Sequence, residues 1–258
     1  MRWRGHFLAS AAVATGACSL LVDTSGLTGT AATASGVLTD AAAGAPETGG
    51  PAADGGAPPL ACDGGFETTS FDSFDQPGNV TVDASGLSAT ATIDAPGPKA
   101  SAAAQKVVVL TPSRIHLAYD LVVKRHPTIY TEPGCSLYLE NGNEDVLFRH
   151  TFYMNKNAFG QYVNIVNAVV DDRPHAFFDL PDEESTHRVD IVLIATGALG
   201  SVDVTFGAQK QNHKETYALS TVPRQVRVRC GISFAEQTVA GPGSVTVKIK
   251  NLVLAICP

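Results

Sequence analysis

Apolar and polar residues alternate with a period of two through most of the second half of the chain. Ile115, Leu117, Tyr119, Leu121 and Val123 are separated by polar or small neighbours. The same holds for Val189, Ile191, Leu193 and Ala195, and for Val202, Val204 and Phe206. Val226, Val228, Cys230, Ile232 and Phe234 point one way, with Arg227 and Arg229 facing the other. Val245, Val247 and Ile249 alternate with Thr246, Lys248 and Lys250. Successive side chains of a strand point to opposite faces, so this pattern predicts strands with one buried and one wet face. Near Lys250-Asn251 the phase shifts to Leu252, Leu254 and Ile256, which predicts a β-bulge or a strand buried on both faces. Turns are predicted at Gln76-Pro77-Gly78, Asn141-Gly142, Ala198-Leu199-Gly200 and Gly241-Pro242-Gly243. About a dozen short strands, no amphipathic helix and no internal repeat give an all-β, two-sheet antiparallel sandwich.

Charge and hydropathy narrow the function classes. The 258 residues hold 18 Lys or Arg against 25 Asp or Glu, a formal charge of -7. A nucleic-acid binder needs a basic surplus to neutralise phosphates, so no nucleic-acid partner is expected. Mean hydropathy is +0.07, and no apolar run reaches the ~20 residues of a membrane span, which excludes a multi-span protein.

The front of the chain carries a different signal. Arg2 and Arg4 precede the apolar stretch Phe7-Leu8-Ala9-Ser10-Ala11-Ala12-Val13-Ala14, followed by Thr15-Gly16-Ala17-Cys18. Residues 1–17 therefore read as an export signal, its apolar part too short to span a bilayer. Small residues ending at a cysteine resemble the bacterial lipoprotein signal, whose processing cleaves before the Cys and acylates it. That resemblance implies lipidation of Cys18 and a membrane partner reached through the lipid anchor. Thr15 departs from the pattern, standing where the family usually has Leu. The continuation Cys18-Ser19-Leu20-Leu21-Val22-Asp23 resembles the mature start of surface lipoproteins, and Ser19 after the Cys implies the outer membrane of a Gram-negative bacterium. The alternative is cleavage at Ala12-Val13-Ala14 and release of a soluble secreted protein.

Residues 18–61 form a linker rather than a domain. Of the 34 residues from Thr28 to Ala61, 28 are Ala, Gly, Pro, Thr or Ser, with no aromatic residue, Lys or Arg. Such a segment buries too little apolar area to offset its ordering entropy, which predicts a disordered tether spanning roughly 30–35 Å. Composition changes at Cys62. Residues 62–258 hold nearly all the aromatic residues and a charge of -5.

Thr186 to Gln209, THRVDIVLIATGALGSVDVTFGAQ, resembles the central hairpin of laminin-G-like and concanavalin A-like jelly rolls. The strands Val226 to Phe234 and Val245 to Leu254 follow in that family's order, and Cys62-Asp63-Gly64-Gly65-Phe66-Glu67 resembles its first strand. The resemblance implies a jelly-roll sandwich over 62–258. Two positions depart from it: His187 stands near the family's Trp, and Phe206-Gly207 replaces Asp-Gly, so no calcium or ligand role carries over. The fold hosts enzymes, lectins and adhesion modules alike.

With Cys18 lipidated, Cys62, Cys135, Cys230 and Cys257 remain, an even set in an exported protein that predicts two disulfides. Three pairings are possible. Adjacent first and last strands in a jelly roll imply Cys62 with Cys257, leaving Cys135 with Cys230. The first bridge closes nearly the whole domain, worth on the order of 5 kcal/mol in a chain-entropy model.

Catalytic signals are weak. Glycoside hydrolases on this fold carry Glu-x-Asp-x-x-Glu, which aims alternate carboxylates into one cleft. The acidic clusters Glu140–Asp145, Asp171-Asp172 and Asp179–Glu184 lie with Gly or Pro and read as solvated turns. Asn141-Gly142-Asn143-Glu144-Asp145 faintly matches a calcium loop but lacks the distal Glu, so it reads as a hairpin turn. His116, His126, His150, His175, His187 and His213 show no metal spacing. No catalytic residue, metal ligand or cofactor is assigned. The only Trp is Trp3, inside the signal, so stacking on a sugar falls to Tyr119, Tyr130, Tyr138, Tyr153, Tyr162 or Tyr217. Parity places Tyr119 in the core and Tyr138 on an exposed face. The expectation is a non-catalytic surface lipoprotein that binds a polysaccharide or a surface protein partner. The alternative is a divergent, glycoside hydrolase-like enzyme of the same fold.

Overall fold

The computed structural model describes residues 62–94, 99–143, 145–154, 159–167, 169–170, 177–207, 211–237 and 242–258. The expected signal, Cys18 and the tether lie outside the described residues, as do Asp171, Asp172, His175 and Glu144. Among the described residues there is no helix.

Strands follow one another in the chain as β1 (Phe66–Thr68), β2 (Val80–Asp83), β3 (Gly86–Ile93), β4 (Lys99–Val108) and β5 (Arg114–Val123). Next come β6 (Ile129–Glu140), β7 (Val146–Met154), β8 (Phe159–Val166), β9 (Val169–Val170) and β10 (Phe177–Asp179). The last are β11 (Ser185–Thr196), β12 (Leu199–Phe206), β13 (Gln211–Ala218), β14 (Gln225–Gln237) and β15 (Gly243–Cys257). Every pairing is antiparallel. One eight-stranded sheet runs β13-β12-β11-β5-β15-β3-β2, with β1 on β15. A seven-stranded sheet runs β10-β8-β7-β6-β14-β4, with β9 on β8. The fold is a concanavalin A-like jelly-roll β-sandwich.

The alternating residues supply the core between the sheets. Ile115, Leu117, Tyr119 and Leu121 of β5 belong to one core cluster with Val226, Val228 and Cys230 of β14, all inaccessible to solvent. Burial of this apolar area is the main driving force, at about 25 cal/mol per Å². At one end, Phe152 of β7 stacks on Phe206 of β12 at 5.1 Å, and Phe148 on Tyr217 at 4.4 Å, tying the sheets together. Two disulfides join the domain's four cysteines: Cys62–Cys257, 195 residues apart, and Cys135–Cys230, on the paired strands β6 and β14.

The phase shift in β15 is a bulge. Its register against β5 slips between Lys250 and Val253, and Asn251 adopts φ 50°. Leu252, Leu254 and Ile256 thereby stay buried, as do Val245, Val247 and Ile249 before it.

Three local expectations are corrected. The turn expected at Ala198-Leu199-Gly200 is centred on Gly197 and Ala198 instead; Leu199 and Gly200 already belong to β12. Gly200 is needed there because the Tyr217 ring lies where a Cβ would go, 2.3 Å from it. Phe234 leaves the core face, because a bulge in β14 between Ile232 and Phe234 reverses its parity, and Lys99 lies over its ring at 5.3 Å. Glu140 is not in a solvated turn but fully buried at the end of β6.

Candidate functional site

The outer face of the seven-stranded sheet, opposite the core, collects side chains whose parity excludes them from the interior. Three rows cross it. Gln105 of β4, Arg229 of β14 and Ser136 of β6 are register partners. So are Val107, Arg227, Tyr138 and Arg149, reaching β7. Lys99, Glu236 and Tyr130 form the third row, and Tyr153 of β7 stacks on Tyr130 with centroids 6.0 Å apart and planes 21° from parallel.

Tyr138 corrects the expectation of exposure. It does face away from Leu137 and Leu139, but only 6% of it is accessible. The guanidiniums of Arg149 and Arg227 lie 5.3 and 5.0 Å from its ring centre and cover it, a cation–π arrangement. Each arginine is also anchored, Arg149 on Glu132 and Arg227 on the buried Glu140, which Gln225 Nε2 also reaches at 2.6 Å. Beside them three hydroxyls hold one another: Ser136 Oγ lies 2.8 Å from Thr151 Oγ1 and 3.1 Å from Ser233 Oγ.

Burial pushes the Glu132 carboxyl above its ordinary value, opposed by the positive charges of Arg149 and Arg229. Burial also pushes the Tyr153 hydroxyl up to about 12, helped by Tyr130 and the negative charges of Glu132 and Glu236. Tyr130 and Tyr153 are both half-buried, with Gln161 of β8 paired to Tyr153. Two half-buried tyrosine rings with carboxylates, an amide and a guanidinium around them are groups of the kind that contact a sugar, the rings meeting C–H groups and the polar rim meeting hydroxyls.

The other candidates settle elsewhere. Tyr119 is in the core, its hydroxyl accepting the Cys135 N–H at 3.1 Å. Tyr162 and Tyr217 are buried too. In the β6–β7 turn, Asn141 Nδ2 donates to Asp145 Oδ2 at 2.8 Å, and Asn143 N–H donates to Asn141 Oδ1 at 2.8 Å. Those oxygens close a hairpin. Among the described residues no group of three or more His, Cys, Asp or Glu is arranged to hold a metal. His116 sits 3.2 Å from Asp190 on the eight-stranded sheet. His187 stacks on Phe206 at 4.9 Å, and burial lowers its pKa, as it does for His126. His150 is interior, its Nδ1 2.6 Å from Asn164 Oδ1. The side chain of His213 lies outside the described residues.

Glu132, Arg149, Gln161 and Glu236 are site residues that sequence reasoning missed, and Glu140 was read as part of a solvated turn. Arg227 and Arg229 were legible as wet-face positions, but their partners come from strands distant in sequence.

No protein-family model matches the chain, and no curated protein matches it in sequence. Solved structures do resemble it. Lectin UEA-II complexed with galactose superposes with a TM-score of 0.50 at 12% identity, over 77% of this chain and 100% of that one. A lectin from Bauhinia forficata in complex with GalNAc gives 0.47 at 11%, over 74% and 98%. A prokaryotic β-1,3-1,4-glucanase from a mouse hindgut metagenome gives 0.46 at 10%, over 75% and 99%. At these identities the likeness is one of fold.

Proposed function

We propose that this chain is a non-catalytic surface lipoprotein whose sandwich binds carbohydrate on the outer face of the seven-stranded sheet. The observation that carries the reading is the stacked, half-buried Tyr130–Tyr153 pair, rimmed by Glu132, Glu236 and Gln161. An aromatic pair already held in place loses little entropy on binding, and the rim supplies both donors and acceptors for hydroxyls. Export and display rest on the signal-like residues 1–17 and on acylation of Cys18, which would fix the domain to the outer membrane. Multiple acylation is required for a durable anchor, since one chain binds only marginally. A glycan-array and polysaccharide screen of the full chain, with calcium and with chelator, tests the reading. Saturable binding to a glycan class, insensitive to chelator, supports it. A folded protein that binds no glycan on the array sinks it and leaves a surface protein as the partner.

One observation favours a second reading, a glycoside hydrolase-like enzyme. Glu132 and Glu236 are two carboxyls that both act on Tyr153 on the candidate sugar-binding face, and glycoside hydrolysis uses carboxyls in pairs. Release of reducing ends from a bound polysaccharide, abolished by Glu132→Gln, would establish it. Binding without turnover rejects it.

A further inference from the structure

A second feature opens on the same side of the sheet. Where the segment 75–79 runs beside β4, it forms one side of a shallow, open cavity of about 430 Å³ lined by Asp75, Gln76, Asn79, Ser101, Gln105 and Arg229. One wall is fixed by a backbone bridge: Asp75 N–H donates to Gln105 O at 2.7 Å, and Gln105 N–H donates to Asp75 O at 2.9 Å. Asn79 Nδ2 donates to the Ser101 carbonyl at 2.8 Å and pins the segment's far end to β4. Hydrogen bonds to β4 thus hold the segment that forms this side of the cavity.

Arg229 distinguishes this cavity. Its neighbours on the face, Arg149 and Arg227, each hold a glutamate. Arg229 lies near enough to Glu132 to lower that carboxyl's proton affinity, yet makes no ion pair or hydrogen bond with any described residue. A half-buried guanidinium presents planar, paired N–H donors matched to a carboxylate, and the local glutamate is already occupied by Arg149. Around it stand the groups that recognise hydroxyls, namely the Ser101 hydroxyl, the Gln105 amide and the Asp75 carboxylate as an acceptor.

We infer that this cavity is a subsite for the carboxylate of an acidic sugar, a uronate residue of a polysaccharide, with Arg229 as the carboxylate ligand. The inference rests on the carbohydrate-binding reading and adds the ligand's charge. Arg229 and Ser136 are register partners across β14 and β6, so the subsite is continuous with the face that carries the tyrosine pair. One chain of sugars can therefore lie across the strands, with a uronate at the β4 edge.

The test is calorimetric titration of the full chain with polygalacturonate and with alginate, each against the same polymer after reduction of its carboxyls to primary alcohols. A charge-assisted bidentate contact predicts that one acid form binds roughly tenfold or more tighter than its reduced form. Arg229→Gln should bring that ratio close to one. Arg229→Lys, which keeps the charge and loses the fork, should retain part of it and guards against a folding defect in the first variant. Equal binding of acid and reduced polymers overturns the inference while leaving the carbohydrate reading standing. A preference that survives Arg229→Gln also overturns it, by placing the anion elsewhere. Binding of neither form, by a protein that binds neutral glycans on an array, overturns the subsite alone. Binding of no glycan at all overturns both.

Discussion

Arg227 and Glu140 make the sharpest residue-scale case on the outer face. Glu140 is inaccessible to solvent, and Arg227 and Gln225 are the groups that hold it. Removing one partner of a buried pair strands the other charge, which costs about 3–5 kcal/mol. Arg227→Ala should therefore lose about that much stability in urea denaturation, and also uncover one face of Tyr138. A loss below about 1 kcal/mol would mean Glu140 reaches water. The buried tyrosines make a second prediction. Burial holds Tyr153 at about 12 and pushes Tyr119, Tyr162 and Tyr217 up as well, against an ordinary value of 10.0. The folded state therefore binds more protons than the unfolded state from pH 10.0 upward. Stability is complete below that pH and falls as pH rises through the folded values. The denaturation midpoint should drop steeply in strong alkali, and most tyrosinate absorbance should appear together with unfolding. Ionisation of Tyr119, Tyr153, Tyr162 and Tyr217 near pH 10.0 in a protein that stays folded would contradict this.

At the scale of the elements, the bulge in β15 decides which side chains reach the core. Asn251 at φ 50° takes up the extra residue, while its Nδ2 donates to Asp120 and its carbonyl accepts from Arg188 Nη1 at 3.3 Å. Asn tolerates the left-handed region, whereas a β-branched residue does not. Asn251→Val should cost about 1–2 kcal/mol or more in denaturant unfolding, and Asn251→Gly clearly less. Equal effects would mean the hydrogen bonds, not the backbone, hold the bulge. This element was legible in the sequence, because a phase shift in a period-two pattern is a local signal. The strands β5, β11, β12, β14 and β15 were legible for the same reason, whereas β6 to β10 and β13 carry no such alternation in the sequence reading. The bulge in β14 was not: the apolar Phe234 continues the alternation, and only pairing with β6 reveals the extra residue. The site was half legible. Parity put Tyr138, Arg227 and Arg229 off the core face. Nothing local to Tyr138 reports that Arg149 from β7 and Arg227 from β14 close over it, since those contacts depend on which strands become neighbours. Glu140 misled for a related reason, as an acidic residue beside Asn-Gly that the register buries against Gln225.

At the scale of the whole molecule, a single sandwich stapled by two disulfides follows, in sequence, a long Ala-, Gly-, Pro- and Thr-rich segment. Such bridges suit an oxidising compartment, consistent with export. If Cys18 is the acylated residue, Cys18→Ala should move the protein from the membrane fraction to the soluble fraction and abolish fatty-acid labelling. Membrane retention of that variant would refute the anchor and leave the binding face unaffected. The central claim is that the outer face of the seven-stranded sheet takes the ligand, and its most direct measurement is titration of the best-binding oligosaccharide from the array into two proteins. One is the full chain and the other carries Tyr130→Ala with Tyr153→Ala, its fold checked by circular dichroism. Loss of the platform should weaken binding roughly tenfold or more, at about 1 kcal/mol or more per stacked aromatic. An unchanged affinity in the double variant would place the ligand elsewhere and contradict the account.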